Sequence, residues 1–234
     1  MATYTDDELK AIHEAAKARA AVNLPARADF SQVASVLSEP DPDAKRRDDE
    51  TRELLRLQRR AAWRERIPTE YARWTLADYS EALQQHAGSF LSDDRWCMYL
   101  HGGVGSRKTS YACAVMRAWY DSGRSFPRLV PAYKAAAELR SMQRMEQAVH
   151  DWREAQMLCL DDIGSNRATP HVVEQLLLLL QHRYDWQRKT IITSNLSLND
   201  LRQYIDGPDP RAASRISKGV ILNLGDKDWR RQDG

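Results

Sequence analysis

The stretch from Trp96 to Ser110 reads Trp-Cys-Met-Tyr-Leu-His-Gly-Gly-Val-Gly-Ser-Arg-Lys-Thr-Ser. An apolar run leads into a glycine-rich turn, and Lys-Thr then opens an alanine-rich segment with helical spacing. That order is the strand, loop and helix of a P-loop. Glycines let the backbone wrap a polyphosphate closely, so that successive N–H groups point at its oxygens. The phosphate-binding set is Gly102, Gly103, Val104, Gly105, Ser106, Arg107, Lys108, Thr109 and Ser110. Lys108 reaches the outer phosphates, Thr109 supplies a hydroxyl to Mg2+, and the start of the following helix adds its positive end. The pattern G-x-x-x-x-G-K-[ST] has one departure, Arg107 in place of its last glycine. Three outcomes are open for that side chain: a clash with the phosphates, a swing out to solvent, or service as a second cation.

A second chemical stretch, Met157-Leu-Cys-Leu-Asp161-Asp162, is an apolar strand that delivers two carboxylates at its tip. This is the Walker B arrangement. Asp161 holds Mg2+ through water, and Asp162 orients or deprotonates the attacking water. A third apolar run, Lys189-Thr-Ile-Ile-Thr-Ser-Asn195, also ends in a polar tip. Asn195 has two roles open to it: a hydrogen bond to the terminal phosphate or water, or a cap for the helix predicted at 198–204. Tyr71, Trp74, Leu76 and Tyr79 precede the loop and either wall an adenine pocket or pack in the core.

These groups need elements to position them. Helical spacing predicts helices at 5–21, 44–66, 109–121, 133–152 and 170–186, the last capped by Thr169 with Pro170 at its first position. Short strands are predicted at 126–130 and 220–224. Strands alternating with helices imply a parallel sheet. Residues 1–66 read as a helical extension too polar to hold a large core alone. Arg56, Arg59, Arg60, Arg64 and Arg66 form a basic face there, either solvated or a docking surface. Residues 67–234 read as the main domain, beginning at Ile67-Pro68.

The chain has 234 residues and a formal net charge of only +2, which permits nucleic-acid contact without arguing for it. Cys97, Cys113 and Cys159 lie far apart in apolar stretches, as thiols of a reducing cytoplasm do. The opening residues are acidic and polar rather than a signal peptide, and no apolar run is long enough for a membrane.

The order of parts resembles the AAA+ ATPases of the DnaC/DnaI-like replicative helicase loader group and their IstB-like relatives. The residues that carry the resemblance are Ile67-Pro68 with Thr75-Leu-Ala-Asp-Tyr79, the loop from Gly102 to Thr109, Leu160-Asp-Asp-Ile-Gly164, Thr193-Ser-Asn-Leu-Ser197, Arg211-Ala-Ala-Ser-Arg215-Ile216 and Asp228-Trp-Arg230. The resemblance implies an α/β AAA+ P-loop fold, with a central parallel sheet flanked by helices. It implies ATP and Mg2+ bound between subunits of a homo-oligomer, and a role for Asn195 as sensor 1. It also implies Arg215, with Arg211 nearby, as an arginine finger acting on a neighbour, and Arg230 as the sensor 2 arginine. The partners implied are a DnaB-like replicative helicase, gripped by the N-terminal extension, and single-stranded DNA, with Lys134, Arg140 and Arg144 as candidates to face the strand. Three other functions compete: an IstB-like helper that binds DNA and assists a transposase, a nucleotide-binding scaffold that has lost hydrolysis, and, remotely, a metabolic kinase.

Overall fold

Strand residues alternate between the two faces of a sheet, so a strand covered on both faces must be apolar throughout. The runs found in the sequence have that character. In a computed structural model of the chain, they form β1 (Cys97–His101), β3 (Met157–Ile163) and β4 (Lys189–Ser194) at the centre of a five-stranded sheet. The structure describes residues 44–141, 143–165, 169–205 and 211–228. The helix expected at 5–21 lies outside them.

The sheet order is β2-β3-β4-β1-β5, with β2 at Arg128–Pro131 and β5 at Val220–Asn223 as edges, and every pairing is parallel. The expected parallel sheet flanked by helices is therefore present. Tyr99, Leu158, Leu160 and Ile192 face one apolar layer, whereas Met98, Leu100, Met157, Cys159 and Ile191 face the other. Leaving β1 the chain crosses to one edge, and leaving β4 it crosses to the other. Open α/β sheets bind ligands outside the carboxyl ends of the strands where such crossings diverge.

Among the described residues the α-helices are α1 (Ala44–Arg66), α2 (Thr69–Ala72), α3 (Glu81–Ser92), α4 (Lys108–Asp121), α5 (Ala132–Arg140), α6 (Met145–Glu154), α7 (Pro170–Asp185), α8 (Leu198–Ile205) and α9 (Arg211–Ile216). α3 was not assigned from sequence, although Leu83, Ala87 and Phe90 recur at helical spacing and pack in the core. The helix expected at 133–152 is two helices, because the backbone turns between Ser141 and Arg144. The strand expected at 126–130 begins instead at Arg128, after Pro127, which has no N–H to donate to a ladder. Thr169 caps α7 as expected, its hydroxyl accepting from the Val172 N–H at 3.4 Å.

The chain divides into two compact units, Met1–Leu54 and Leu55–Gly234. Within the second, Trp63 of α1 is 2% exposed and packs against Tyr120 and Phe126, so the last turns of the arginine-rich helix belong to its core. Arg59 donates to the carbonyls of Tyr120 and Arg124. Among the described residues, no helix is long and apolar enough to cross a membrane.

Candidate nucleotide site

The glycine-rich turn leaves the carboxyl end of β1 and returns as α4. Its N–H groups cannot all be used by the helix, which leaves donors for an anion. Gly103 donates its N–H to the Gly225 carbonyl at 3.0 Å, so the segment after β5 lies directly on the loop. Gly105 has φ +80°, and a Cβ there would collide with the Asp228 carboxylate. Gly105→Ala is therefore expected to destabilise the protein by about 1–2 kcal/mol through backbone strain alone. Thermal denaturation checks this, and a parallel titration should show weakened nucleotide binding.

Lys108 is 7% exposed. Its ammonium group donates to the carbonyls of Gly102 at 2.9 Å and Gly103 at 2.7 Å, folding back over its own loop. A phosphate reaching the loop competes with those carbonyls for the same three donors.

Arg107 adopts φ 64°, ψ 25°, the left-handed conformation that glycine reaches without strain. Its guanidinium lies 4.7 Å from the Trp74 ring centre, and both residues line the cavity described below. The side chain thus stays at the cavity wall, stacked on an aromatic face. Replacing it separates the two contributions. Arg107→Ala and Arg107→Gly both lose the stacking, but only the alanine keeps the left-handed strain. The glycine variant is expected to be about 1 kcal/mol more stable than the alanine variant, a difference of about 2–4 °C in melting midpoint.

The tip of β3 is irregular. Its pairing with β4 shifts between Leu160 and Ile163, and Asp162 has φ +61°. Such a bulge re-aims neighbouring side chains. Asp161 consequently points inward and is 9% exposed, while Asp162 is exposed. The Thr109 hydroxyl donates to Asp161 Oδ1 at 2.8 Å, and the Thr193 hydroxyl donates to the same oxygen at 2.7 Å. Thr193 Oγ1 in turn accepts from the Asp162 N–H at 2.8 Å, which pins the bulge. Burial pushes the Asp161 carboxyl above its ordinary range, opposed by the two hydroxyls. Burial and the Lys108 charge together lower the His101 pKa at the foot of the loop.

These groups surround one cavity of about 310 Å³ lined by Val104 to Ser110, Asp161, Asp162, Thr193 and Asn195, with Glu70, Tyr71, Arg73 and Trp74 closing the other side. The structure thus brings together three of the stretches singled out in the sequence. Trp74 and Tyr71 line this cavity, and Tyr71 also packs against the core, as Leu76 and Tyr79 do. The capping role open to Asn195 falls to Ser197, whose hydroxyl accepts from the Asp200 N–H at 3.2 Å. Arg215 lies outside the cavity of its own chain; its guanidinium is 5.3 Å from the Tyr184 ring centre. Arg230 lies outside the described residues. In the sequence, Thr193 and Asp228 appear only as members of stretches that carry the resemblance, without a role of their own. Thr193 was signalled only as a hydroxyl in an apolar strand, and Asp228 reaches the loop by a contact no local pattern carries.

The donor set fits Mg2+. Thr109 Oγ1 and Asp161 Oδ1 are hard oxygen ligands 2.8 Å apart. Among the described residues no cluster of three or more His, Cys, Asp or Glu could hold a metal by itself. Mg2+ is ordinarily held by one or two protein oxygens together with phosphate and water.

Comparison with known proteins places this geometry. The family model described as IstB-like ATP binding protein matches residues 3–217. No curated protein sequence aligns significantly with the chain. Among solved structures, DnaI is 20% identical with a TM-score of 0.57, covering 67% of this chain and 94% of its own. The DnaC helicase loader is 20% identical with a TM-score of 0.56, covering 68% of this chain and all (100%) of its own. A primosome component from Streptococcus pyogenes serotype M3 is 23% identical with a TM-score of 0.54, covering 71% and 96%. At these identities the structures establish the shared AAA+ fold.

Proposed function

We propose that the chain, which belongs to the IstB-like ATP-binding family, is an ATP-dependent loader which assembles as a homo-oligomer and delivers a replicative helicase onto single-stranded DNA. The observation that carries this reading is the cavity in which Lys108, Thr109, Asp161, Asp162 and Asn195 meet at the sheet tips, in a fold shared with DnaI and with the DnaC helicase loader along nearly the whole of those chains. A structure of the replication initiator DnaA bound to AMPPCP and single-stranded DNA, with a TM-score of 0.53, has the same fold and supports the DNA partner.

The residues divide the work as follows. The loop N–H groups and Lys108 bind the phosphates, Lys108 exchanging its loop carbonyls for phosphate oxygens. Thr109 and Asp161 would hold Mg2+, which when bound neutralises charge on the phosphate oxygens. Asp162, exposed beside the buried Asp161, orients the attacking water or takes its proton, and Asn195 hydrogen-bonds the water or terminal phosphate. Trp74 and Tyr71 wall the adenine side. Arg215, with Arg211 on the same short helix, acts on the neighbouring subunit, and Arg230 serves as the sensor 2 arginine. Lys134, Arg140 and Arg144 face the DNA strand, and the region before Leu55 grips the helicase.

The test is co-purification of the full chain and of a truncation starting at Leu55 with a purified replicative helicase, in MgATP. Truncation at Ile67 is avoided because it removes the buried Trp63. Helicase retained by the full chain and lost by the truncation is the expected result; equal retention, or none, overturns the reading. ATP turnover by the wild type, with and without single-stranded DNA, separates the loader from a scaffold that binds nucleotide without hydrolysing it.

A second reading, an IstB-like helper of a transposase, is favoured by one observation. The family match includes the region before residue 66, whereas the loader structures cover about two-thirds of the chain. Retention of a transposase and duplex DNA, with no helicase, is its signature.

A further inference from the structure

A second concavity, of about 480 Å³, lies in the Leu55–Gly234 unit on the other side of α2. Its wall is Arg60 and Arg64 of α1, Arg73 after α2, and Arg117 of α4, over a floor of Trp63 and Ala72. Trp63 is 2% exposed, and its indole N–H donates to the Ala72 carbonyl at 3.2 Å, so the floor is fixed. Arg117 is held in place by the Ala72 carbonyl at 3.3 Å and by Asp121 at 3.5 Å. Among the described residues no ion pair joins a carboxylate to Arg60 or Arg64, and Arg73, 4.9 Å from the Trp74 ring centre, lies within electrostatic reach of Asp78; all three arginines are exposed. Four arginines therefore line one pocket whose lining includes a single carboxylate, Asp121, already paired with Arg117. On the same face of α1, one turn before Arg60, Leu57 is 54% exposed. Of these residues only Arg73 also lines the nucleotide cavity.

We propose that this pocket docks an acidic, partly apolar segment of a partner protein, its carboxylates paired with Arg60, Arg64 and Arg73 and its apolar side chains laid on Leu57. Arginine forks suit carboxylates, and guanidinium groups on an apolar base retain strength that fully solvated pairs lack. The exposed Leu57 beside these arginines favours a segment that carries apolar side chains as well as carboxylates over a sugar-phosphate backbone.

The docked segment also touches the nucleotide site. Thr69 and Ala72 line this pocket, Glu70 and Tyr71 line the nucleotide cavity, and Arg73 lines both. Occupancy of one face of this short wall therefore alters the other, a consequence that rests on the nucleotide reading above, whereas the docking does not.

The experiment is fluorescence anisotropy on the full chain at low salt. The probe is a labelled peptide of alternating glutamate and leucine, compared with its glutamine counterpart and with labelled oligo-dT. The variant carries Arg60→Glu and Arg64→Glu together. The glutamate peptide is expected to bind at least about tenfold more tightly than the glutamine peptide, and the variant to lose at least about tenfold of that affinity. Its melting midpoint and its affinity for a fluorescent ATP analogue should match the wild type, which distinguishes failure here from failure of the nucleotide site. Equal binding of the two peptides, unchanged peptide binding by the variant, or loss of oligo-dT binding instead of peptide binding would each overturn the proposal.

Discussion

Asp161→Asn is expected to cut ATP turnover by about three orders of magnitude while leaving nucleotide binding in chelator nearly unchanged. The substitution keeps the Oδ1 acceptor for the Thr109 and Thr193 hydroxyls, at 2.8 and 2.7 Å, so the bulge and the loop stay in place. What it removes is the negative charge available to Mg2+. The same change should raise stability in the absence of nucleotide and metal. Burial lifts the Asp161 carboxyl above its ordinary value of 3.8, so the folded state holds this proton more tightly than the unfolded chain does. Stability of the wild type therefore falls as pH rises from the ordinary carboxylate range through the raised folded value, and stays lowered above it. The melting advantage of Asp161→Asn should be full above the raised folded value and shrink as pH falls through that window. A variant that is more stable and inactive marks a carboxylate kept for function at a cost to folding. Unchanged turnover in Asp161→Asn would remove Asp161 from the metal site.

Arg215→Ala is expected to lower turnover by about three orders of magnitude with ATP affinity unchanged. The Arg215 side chain lies over Tyr184, and its carbonyl accepts from the Trp96 indole at 3.0 Å. Trp96 precedes β1, at the end of that strand remote from the loop, so the arginine does not serve the cavity of its own chain. In the proposed assembly it reaches the site of a neighbour. A mixing experiment reads this directly. Arg215→Ala has an intact loop and no finger; Lys108→Ala has an intact finger and no phosphate lysine. Each alone should be inactive. An equimolar mixture should recover about a quarter of the wild-type rate, because random head-to-tail assembly pairs an intact loop with an intact finger at that frequency. A mixture as inactive as its parts would place Arg215 in the chemistry of its own subunit or outside it altogether.

The site was legible in the sequence where its signals are local. Gly102 to Thr109 encodes a turn and the start of a helix through spacing alone, and the strands bearing Asp161 and Asn195 announce themselves as apolar runs with polar tips. The order of those runs also dictated the parallel sheet. What the sequence could not supply depends on contacts between distant segments. Trp74 and Tyr71 were ambiguous between pocket and core because their placement depends on where α2 packs beside the loop. Asp228 meets Gly105 only because β5 pairs with β1. The bulge that turns Asp161 inward and Asp162 outward is set by Thr193 on the neighbouring strand. Arg107 shows the limit most sharply. Its departure from glycine was plain, but its left-handed backbone and its stacking on Trp74 follow from the loop and from a helix more than thirty residues upstream.

The central claim is that this cavity binds ATP through the loop despite Arg107. Calorimetric titration of MgATP into the full chain, beside Lys108→Ala, tests it most directly. The account predicts saturable binding with one nucleotide per chain, weakened about 100-fold when the lysine and its charge-assisted hydrogen bonds are removed. No binding by the wild type, or equal binding by both proteins, would contradict it.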